Sequence, residues 1–108
     1  PRMSRRERLL LDDELRAARL VPVHLTATEV TQYYDGFSNG VLWPLLHYLI
    51  ESVHLDDHDS MSSFATYRDV NRRFAEQAAA AYRPGDTIWV HDYHLFPLAQ
   101  KLREAGVV

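Results

Sequence analysis

The pentapeptide His91-Asp92-Tyr93-His94-Leu95 directly follows a branched and aromatic run, Thr87-Ile88-Trp89-Val90. The composition of that run predicts a strand buried on both faces. Open α/β sheets bind ligands just beyond the carboxyl ends of their strands, so a carboxylate at position 92 is well placed to hold one. Asp92 could accept hydrogen bonds from two sugar hydroxyls, act as a general base, or ligate a metal. It could equally cap the helix that follows by accepting from its exposed amides, and the two roles are compatible.

A second chemical grouping lies at residues 33–44, Tyr33-Tyr34-Asp35-Gly36-Phe37-Ser38-Asn39-Gly40-Val41-Leu42-Trp43-Pro44. Aromatic faces stack on pyranose rings, and Tyr, Ser and Asn reach hydroxyls or phosphate, so the segment suits a sugar phosphate. The competing assignment places Tyr33, Phe37 and Leu42 in the core, the usual fate of helical aromatics. A third grouping, His54 and His58 at helical i, i+4 spacing around Asp56 and Asp57, reads together with His91 and Asp92 as a metal-dependent phosphohydrolase site. Against it, the polar stretch 51–62 reads as a loop, which gives no reason for both rings to face one ion. His24 and His47 read as partly buried histidines satisfied by backbone.

The elements that would position these residues follow from periodicity and punctuation. Residues 1–19 alternate charged clusters with leucines, giving a solvated helix or a loop. Residues 19–25 suggest a strand despite Pro22. Thr26-Ala27-Thr28-Glu29 has the T-x-x-E spacing of a capping box and predicts a helix start. Gly36 and Asn39-Gly40 predict a break in that helix, with a second segment over 41–50. Phe64, Tyr67, Val70, Phe74, Ala78 and Ala81 recur at three and four, predicting an amphipathic helix over 63–81 that Arg83-Pro84-Gly85-Asp86 ends. Residues 95–105 read as another helix stopped by Gly106, and Val107-Val108 as the start of a strand. This order predicts an α/β layer of parallel βαβ units.

The chain has 108 residues, one ordinary domain's worth. Twelve basic against 15 acidic residues give a net charge of -3, which argues against nucleic acid or an anionic membrane as the main partner. The absence of cysteine excludes disulfides, thiolate zinc sites and thiol nucleophiles. No apolar run approaches membrane-spanning length. Ser4-Arg5-Arg6 ahead of Leu9-Leu10-Leu11 faintly suggests an export signal, but Asp12, Asp13 and Glu14 interrupt it, which points to a cytoplasmic protein.

Residues 33–48, 67–75 and 86–98 together closely resemble the trehalose-6-phosphate synthases, in the order and spacing of that family. The resemblance spans 20–108 and well under half of a family member. It implies an α/β fold, part of a Rossmann-like parallel-sheet domain of a GT-B retaining glucosyltransferase. Residues 1–108 would form part of the N-terminal, acceptor-side domain, with the donor-binding C-terminal domain absent.

The implied reaction transfers glucose from a nucleotide-glucose donor such as UDP-glucose to glucose 6-phosphate, with anomeric retention, in trehalose biosynthesis. On this resemblance Tyr34 contacts the acceptor phosphate, Asp92 holds and orients acceptor hydroxyls, and Trp43 lies beside the acceptor and bears on anomer selectivity. No cofactor and no metal are implied, and oligomerisation is possible. Asp35 stands where the family usually has Asn, placing a carboxylate next to the phosphate-contacting tyrosine. The 108 residues alone are expected to be inactive and marginally stable, exposing Trp89 and associating through unpaired strand edges. The alternatives are a non-catalytic sugar-phosphate-binding or regulatory module derived from the family, and the metal-dependent phosphohydrolase.

Overall fold

The structure is a computed structural model that describes residues 3–53 and 58–107. It is built on one long helix, α4 (His58–Ala81), which packs against a wound segment ending near Leu46 and against α5 (Leu98–Glu104). Before these come α1 (Arg5–Ala17) and α2 (Ala27–Val30). The buried side of α4 carries Ser63, Tyr67, Val70, Asn71 and Ala75, at the three- and four-residue intervals of one helix face. Helix formation begins at His58, so the loop expected over 51–62 is corrected at its C-terminal end. Its middle, residues 54–57, lies outside the described residues.

Two apolar clusters share this face. Tyr33, Tyr67 and Val70 form one, with Leu25, Phe37 and Leu42 packed around them. Ala75, Leu98, Leu102 and Val107 form the other, and Phe74 touches both. The assignment of Tyr33, Phe37 and Leu42 to the core therefore holds.

The capping box at Thr26 is present in full. The Thr26 hydroxyl accepts from the Glu29 amide at 3.2 Å, and the Glu29 carboxylate accepts from the Thr26 amide at 2.7 Å. The same carboxylate meets Arg73 of α4 at 2.6 Å, so one side chain both starts α2 and fastens it to the central helix. Helix α1 opens with an equivalent box at Ser4 and Glu7 but buries none of its residues.

The break expected at Gly36 and Asn39-Gly40 does not occur. The chain winds on from α2 as a π-helical segment, Thr31–Leu42, and then as α3, Trp43–Leu46. The wider register shows in the Trp43 amide, which donates to the Ser38 carbonyl five residues back, and in the Ser38 hydroxyl, which donates to the Tyr33 carbonyl at 2.7 Å. Gly36 permits close approach rather than breaking the helix: a Cβ there would lie 2.6 Å from Ser63 Oγ on α4. The second segment expected over 41–50 is shorter than that span. The His47, Tyr48 and Leu49 turn ends it, with Tyr48 at φ 59° and the Leu49 amide donating to the Pro44 carbonyl at 2.8 Å.

No β-ladder is present among the described residues, which corrects the strands expected over 19–25, 87–90 and 107–108. A strand is defined by its partner, and neither the 20–25 nor the 87–90 segment has one among these residues. The composition of 87–90 predicts a strand buried on both faces in a complete sheet, with Trp89 exposed in these 108 residues alone, and Trp89 is 81% exposed. Val107 instead completes the end of α5. Gly106 takes φ 80°, its amide donates to the Arg103 carbonyl, and the Val107 amide donates to the Leu102 carbonyl, closing a Schellman turn whose apolar contact is Val107 on Leu102. Val108 lies outside the described residues. No described helix is long and apolar enough to cross a membrane.

Candidate functional site

The site is assembled around two backbone carbonyls that no regular element satisfies. Asp92 precedes a single 3-10 turn, Tyr93–Leu95. The Tyr93 carbonyl accepts from the Tyr67 hydroxyl at 2.7 Å. The His94 carbonyl accepts from the Tyr33 hydroxyl at 2.9 Å and from Asn71 Nδ2 at 3.0 Å. Three side chains from the π-helical segment and α4 thus clamp this turn by its backbone, which answers the demand that buried carbonyls be paired.

That clamping bears on Asp92, whose φ of 72° and ψ of 161° lie in a region ordinarily restricted to glycine. Such a conformation persists only where its surroundings over-determine it. One carboxylate oxygen accepts from the Tyr93 amide at 2.7 Å, so the capping role holds. The other lies 3.7 Å from His94 Nδ1, and the side chain is 59% exposed. Asp92 therefore caps its turn and still presents a carboxylate outward.

Tyr34 and Trp43 reach the same turn from the wound segment. The Tyr34 ring stacks on His94, with centroids 5.0 Å apart and 13° between planes. Trp43 lies against Tyr93 at 5.7 Å and against His47 at 3.8 Å. The Tyr93 hydroxyl donates to Asn39 Oδ1 at 2.6 Å, tying the middle of the wound segment to the turn as well. The structure brings Tyr34, Trp43 and Asp92 together around the Tyr93-His94 pair, each side chain partly open to solvent.

Burial sets the protonation of the tyrosines underneath. It pushes the Tyr67 hydroxyl up to about 12 and the Tyr33 hydroxyl further, with Tyr67 and the Asp92 charge adding to the effect on Tyr33. Both remain donors to the clamped carbonyls. Tyr93 is raised as well, by desolvation and then by the neighbouring Asp92 and Tyr34. Asp35, beside Tyr34, is exposed.

Sequence reasoning did not single out Tyr67, Asn71, Tyr93 or His94 for the site. Tyr67 was legible only as a core residue, and nothing in its spacing shows that its hydroxyl reaches a turn 26 residues away. Asn71, fully buried on the apolar face of α4, was the available signal, since a buried amide implies a partner.

The phosphohydrolase grouping falls largely outside the described residues. His54, Asp56, Asp57 and the side chain of His58 lie outside what is described, and among the described residues no three His, Asp or Glu side chains converge to hold a metal. His47 is exposed, its Nδ1 2.8 Å from the Trp43 carbonyl. His24 meets the Asp12 carboxylate at 2.7 Å instead of backbone.

Residues 4–107 match the family model for glycosyltransferase family 20. The chain belongs to that family. It is 41% identical over 105 residues to the bifunctional trehalose-6-phosphate synthase/phosphatase of Thermoproteus tenax, a match covering 97% of this chain and 14% of that protein. It is 46% identical over 83 residues to the trehalose-6-phosphate synthase of Sinorhizobium fredii, covering 77% of this chain and 17% of that protein. The fold matches the crystal structure of a UDP-forming trehalose-phosphate synthase from Burkholderia xenovorans in complex with glucose-6-phosphate. The TM-score is 0.71 and the identity 45%, over 82% of this chain and 19% of that one. The chain thus spans less than a fifth of each of these family members.

Proposed function

We propose that this chain is the acceptor-binding part of a trehalose-6-phosphate synthase, holding glucose 6-phosphate for glucosyl transfer from UDP-glucose. The observation that carries the reading is the convergence of Tyr34, Trp43 and Asp92 on one clamped turn. Three residues from segments some fifty positions apart form one partly open aromatic and carboxylate surface, the chemistry a hexose phosphate calls for. The Burkholderia xenovorans relative, solved with glucose-6-phosphate, supports the acceptor. The UDP-forming names among the relatives support the donor.

In this reading Tyr34 donates its hydroxyl to the acceptor phosphate. Asp92 accepts from acceptor hydroxyls and orients the attacking oxygen, and the Trp43 indole closes one side of the sugar. The acceptor hydroxyl attacks the donor's anomeric carbon on the face from which the nucleoside diphosphate departs, and the departing phosphate oxygen takes the proton. Asp92 acts by orientation, converting a bimolecular encounter into a positioned one. Residues 1–108 form part of a Rossmann-like acceptor domain of GT-B type. The donor-binding half is supplied by sequence outside this chain, so the 108 residues alone turn over no donor.

The test is Asp92→Asn in the full-length protein. Asparagine keeps the shape but weakens the hydrogen bonds accepted from the sugar, each charge-assisted bond contributing roughly 1.5 to 3 kcal/mol. The kcat/KM for glucose 6-phosphate should fall about ten- to a hundredfold, with the donor KM unchanged. Unaltered kinetics would reduce Asp92 to a cap and remove the reading's central residue.

A further inference from the structure

The residue at the centre of the site is one to which neither the family resemblance nor the sequence pattern gave a role. His94 packs between four groups. Its ring stacks on Tyr34 at 5.0 Å and nearly parallel, lies 4.2 Å from the Tyr93 ring, and meets the edge of Tyr33 at 6.2 Å. Its Nδ1 faces the Asp92 carboxylate at 3.7 Å. The side chain is only 17% exposed, and Nε2 is buried with no hydrogen-bond partner among the described residues. Its backbone is fixed as well, by the Tyr33 hydroxyl and the Asn71 amide on one carbonyl.

We propose that His94 is a positioning residue for acceptor binding, setting the Tyr34 ring with its imidazole face and the Asp92 carboxylate with its Nδ1 edge. Tyr34 is 48% exposed, and a half-exposed ring is free to change rotamer unless a flat neighbour holds it. The imidazole is that neighbour, and it is itself immobilised from below by the clamp on its carbonyl. Asp92 has a backbone ordinarily restricted to glycine and a side chain that is 59% exposed. The Tyr93 amide holds one oxygen and His94 Nδ1 lies beside the other. The two side chains assigned to opposite ends of the acceptor are thereby referred to one ring, which fixes their separation. The inference rests on the function proposed above, since it concerns how that site keeps its geometry.

The test measures glucose 6-phosphate kinetics in the full-length protein for His94→Ala, His94→Phe and His94→Gln, each alone and combined with Tyr34→Ala. Phenylalanine keeps the ring face and loses the edge toward Asp92. Glutamine keeps a polar group and loses the face, and it replaces alanine in the comparison if His94→Ala does not fold. His94→Ala and His94→Gln should raise the acceptor KM on the order of tenfold, within the range of coupling between residues in direct contact. His94→Phe should restore most of that loss, and the donor KM should not move. In the Tyr34→Ala background the KM penalty of losing the ring face should largely vanish. An unchanged acceptor KM, or the same increase in both backgrounds, would overturn the inference while leaving the proposed function standing. A full-length wild-type protein that binds no glucose 6-phosphate would overturn that function, and the inference with it.

Discussion

The 93–95 turn and the 87–90 segment lie a few residues apart and are similarly rich in aromatic and branched side chains, yet they end in opposite states. The turn is irregular in backbone, but the Tyr93 and His94 carbonyls each meet a side chain from another element. The 87–90 segment has the composition of a regular strand and no ladder among the described residues, with Ile88 36% and Trp89 81% exposed. The difference teaches that order here comes from cross-element partners. A strand's hydrogen bonds must be supplied by another strand, whereas a turn can be finished by three long side chains from helices already packed beside it.

The sharpest way to break that comparison is to delete one large aromatic from each region. Tyr67→Ala removes a side chain that is 2% exposed together with its hydroxyl bond to the Tyr93 carbonyl. The lost burial and the cavity left behind should together cost about 3 to 5 kcal/mol. Trp89→Ala removes a larger, mostly exposed ring that lies 4.4 Å from His91, and should change stability by no more than about 0.5 kcal/mol. Denaturant melts of the two variants, read by circular dichroism, check the contrast. Equal losses would mean that the 87–90 segment is as well supported as the turn.

Gly36→Ala is the next largest. Its Cβ would fall 2.6 Å from Ser63 Oγ and 3.2 Å from Ser63 Cβ, where the wound segment meets α4. Overpacking of this kind costs roughly 1 to 3 kcal/mol. Ser63→Gly in the same chain should recover most of the loss. Thermal melts of the single and double variants show whether Gly36 serves contact; a loss that Ser63→Gly leaves untouched would return it to the role of a helix breaker.

Alkaline titration sharpens the account of the clamp. A buried tyrosine whose folded value lies above its unfolded one stabilises the fold fully below the unfolded value of 10.0, and that contribution is lost as pH rises toward about 12, where Tyr67 ionises in the folded chain. Stability should therefore fall across that interval, because the tyrosines ionise in the unfolded chain while Tyr67 and Tyr33 still hold their protons in the folded one. Tyr67→Phe should be less stable at neutral pH and show a shallower alkaline decline. An identical alkaline slope in Tyr67→Phe would show that the decline has another origin.

Features set by neighbouring residues were legible in sequence. The Thr26 box, the periodic helix through Tyr67 and Phe74, and the Gly106 stop are each encoded within a few positions, and each is present. The box at Ser4 and Glu7 has the same S-x-x-E spacing and starts α1, within the 1–19 stretch whose charge pattern left helix and loop both open. Gly36 is not legible as a contact residue, because a glycine required for contact with α4 looks the same in sequence as one that ends a helix. The strand over 87–90 was inferred from composition, which reports a preference for pairing and not the presence of a partner. Asp92 is legible from its place just after the 87–90 run, whereas Tyr34, Trp43 and the acceptor roles of all three rest on the family resemblance. What joins them, the Tyr93-His94 pair held by Tyr33, Tyr67 and Asn71, depends on contacts 23 to 61 residues apart that no local pattern records.

The central claim, that the surface shared by Tyr34, Trp43 and Asp92 receives the acceptor, is tested most directly by the chain's two tryptophans. In the full-length protein labelled with 5-fluorotryptophan, the signals of Trp43 and Trp89 are assigned by their Trp→Phe substitutions and followed by fluorine NMR during titration with glucose 6-phosphate. The account predicts that the Trp43 signal shifts saturably, that Asp92→Asn weakens this response, and that Trp89 stays in place. A Trp43 signal that does not move at saturating glucose 6-phosphate, or that moves no more than Trp89, would contradict it.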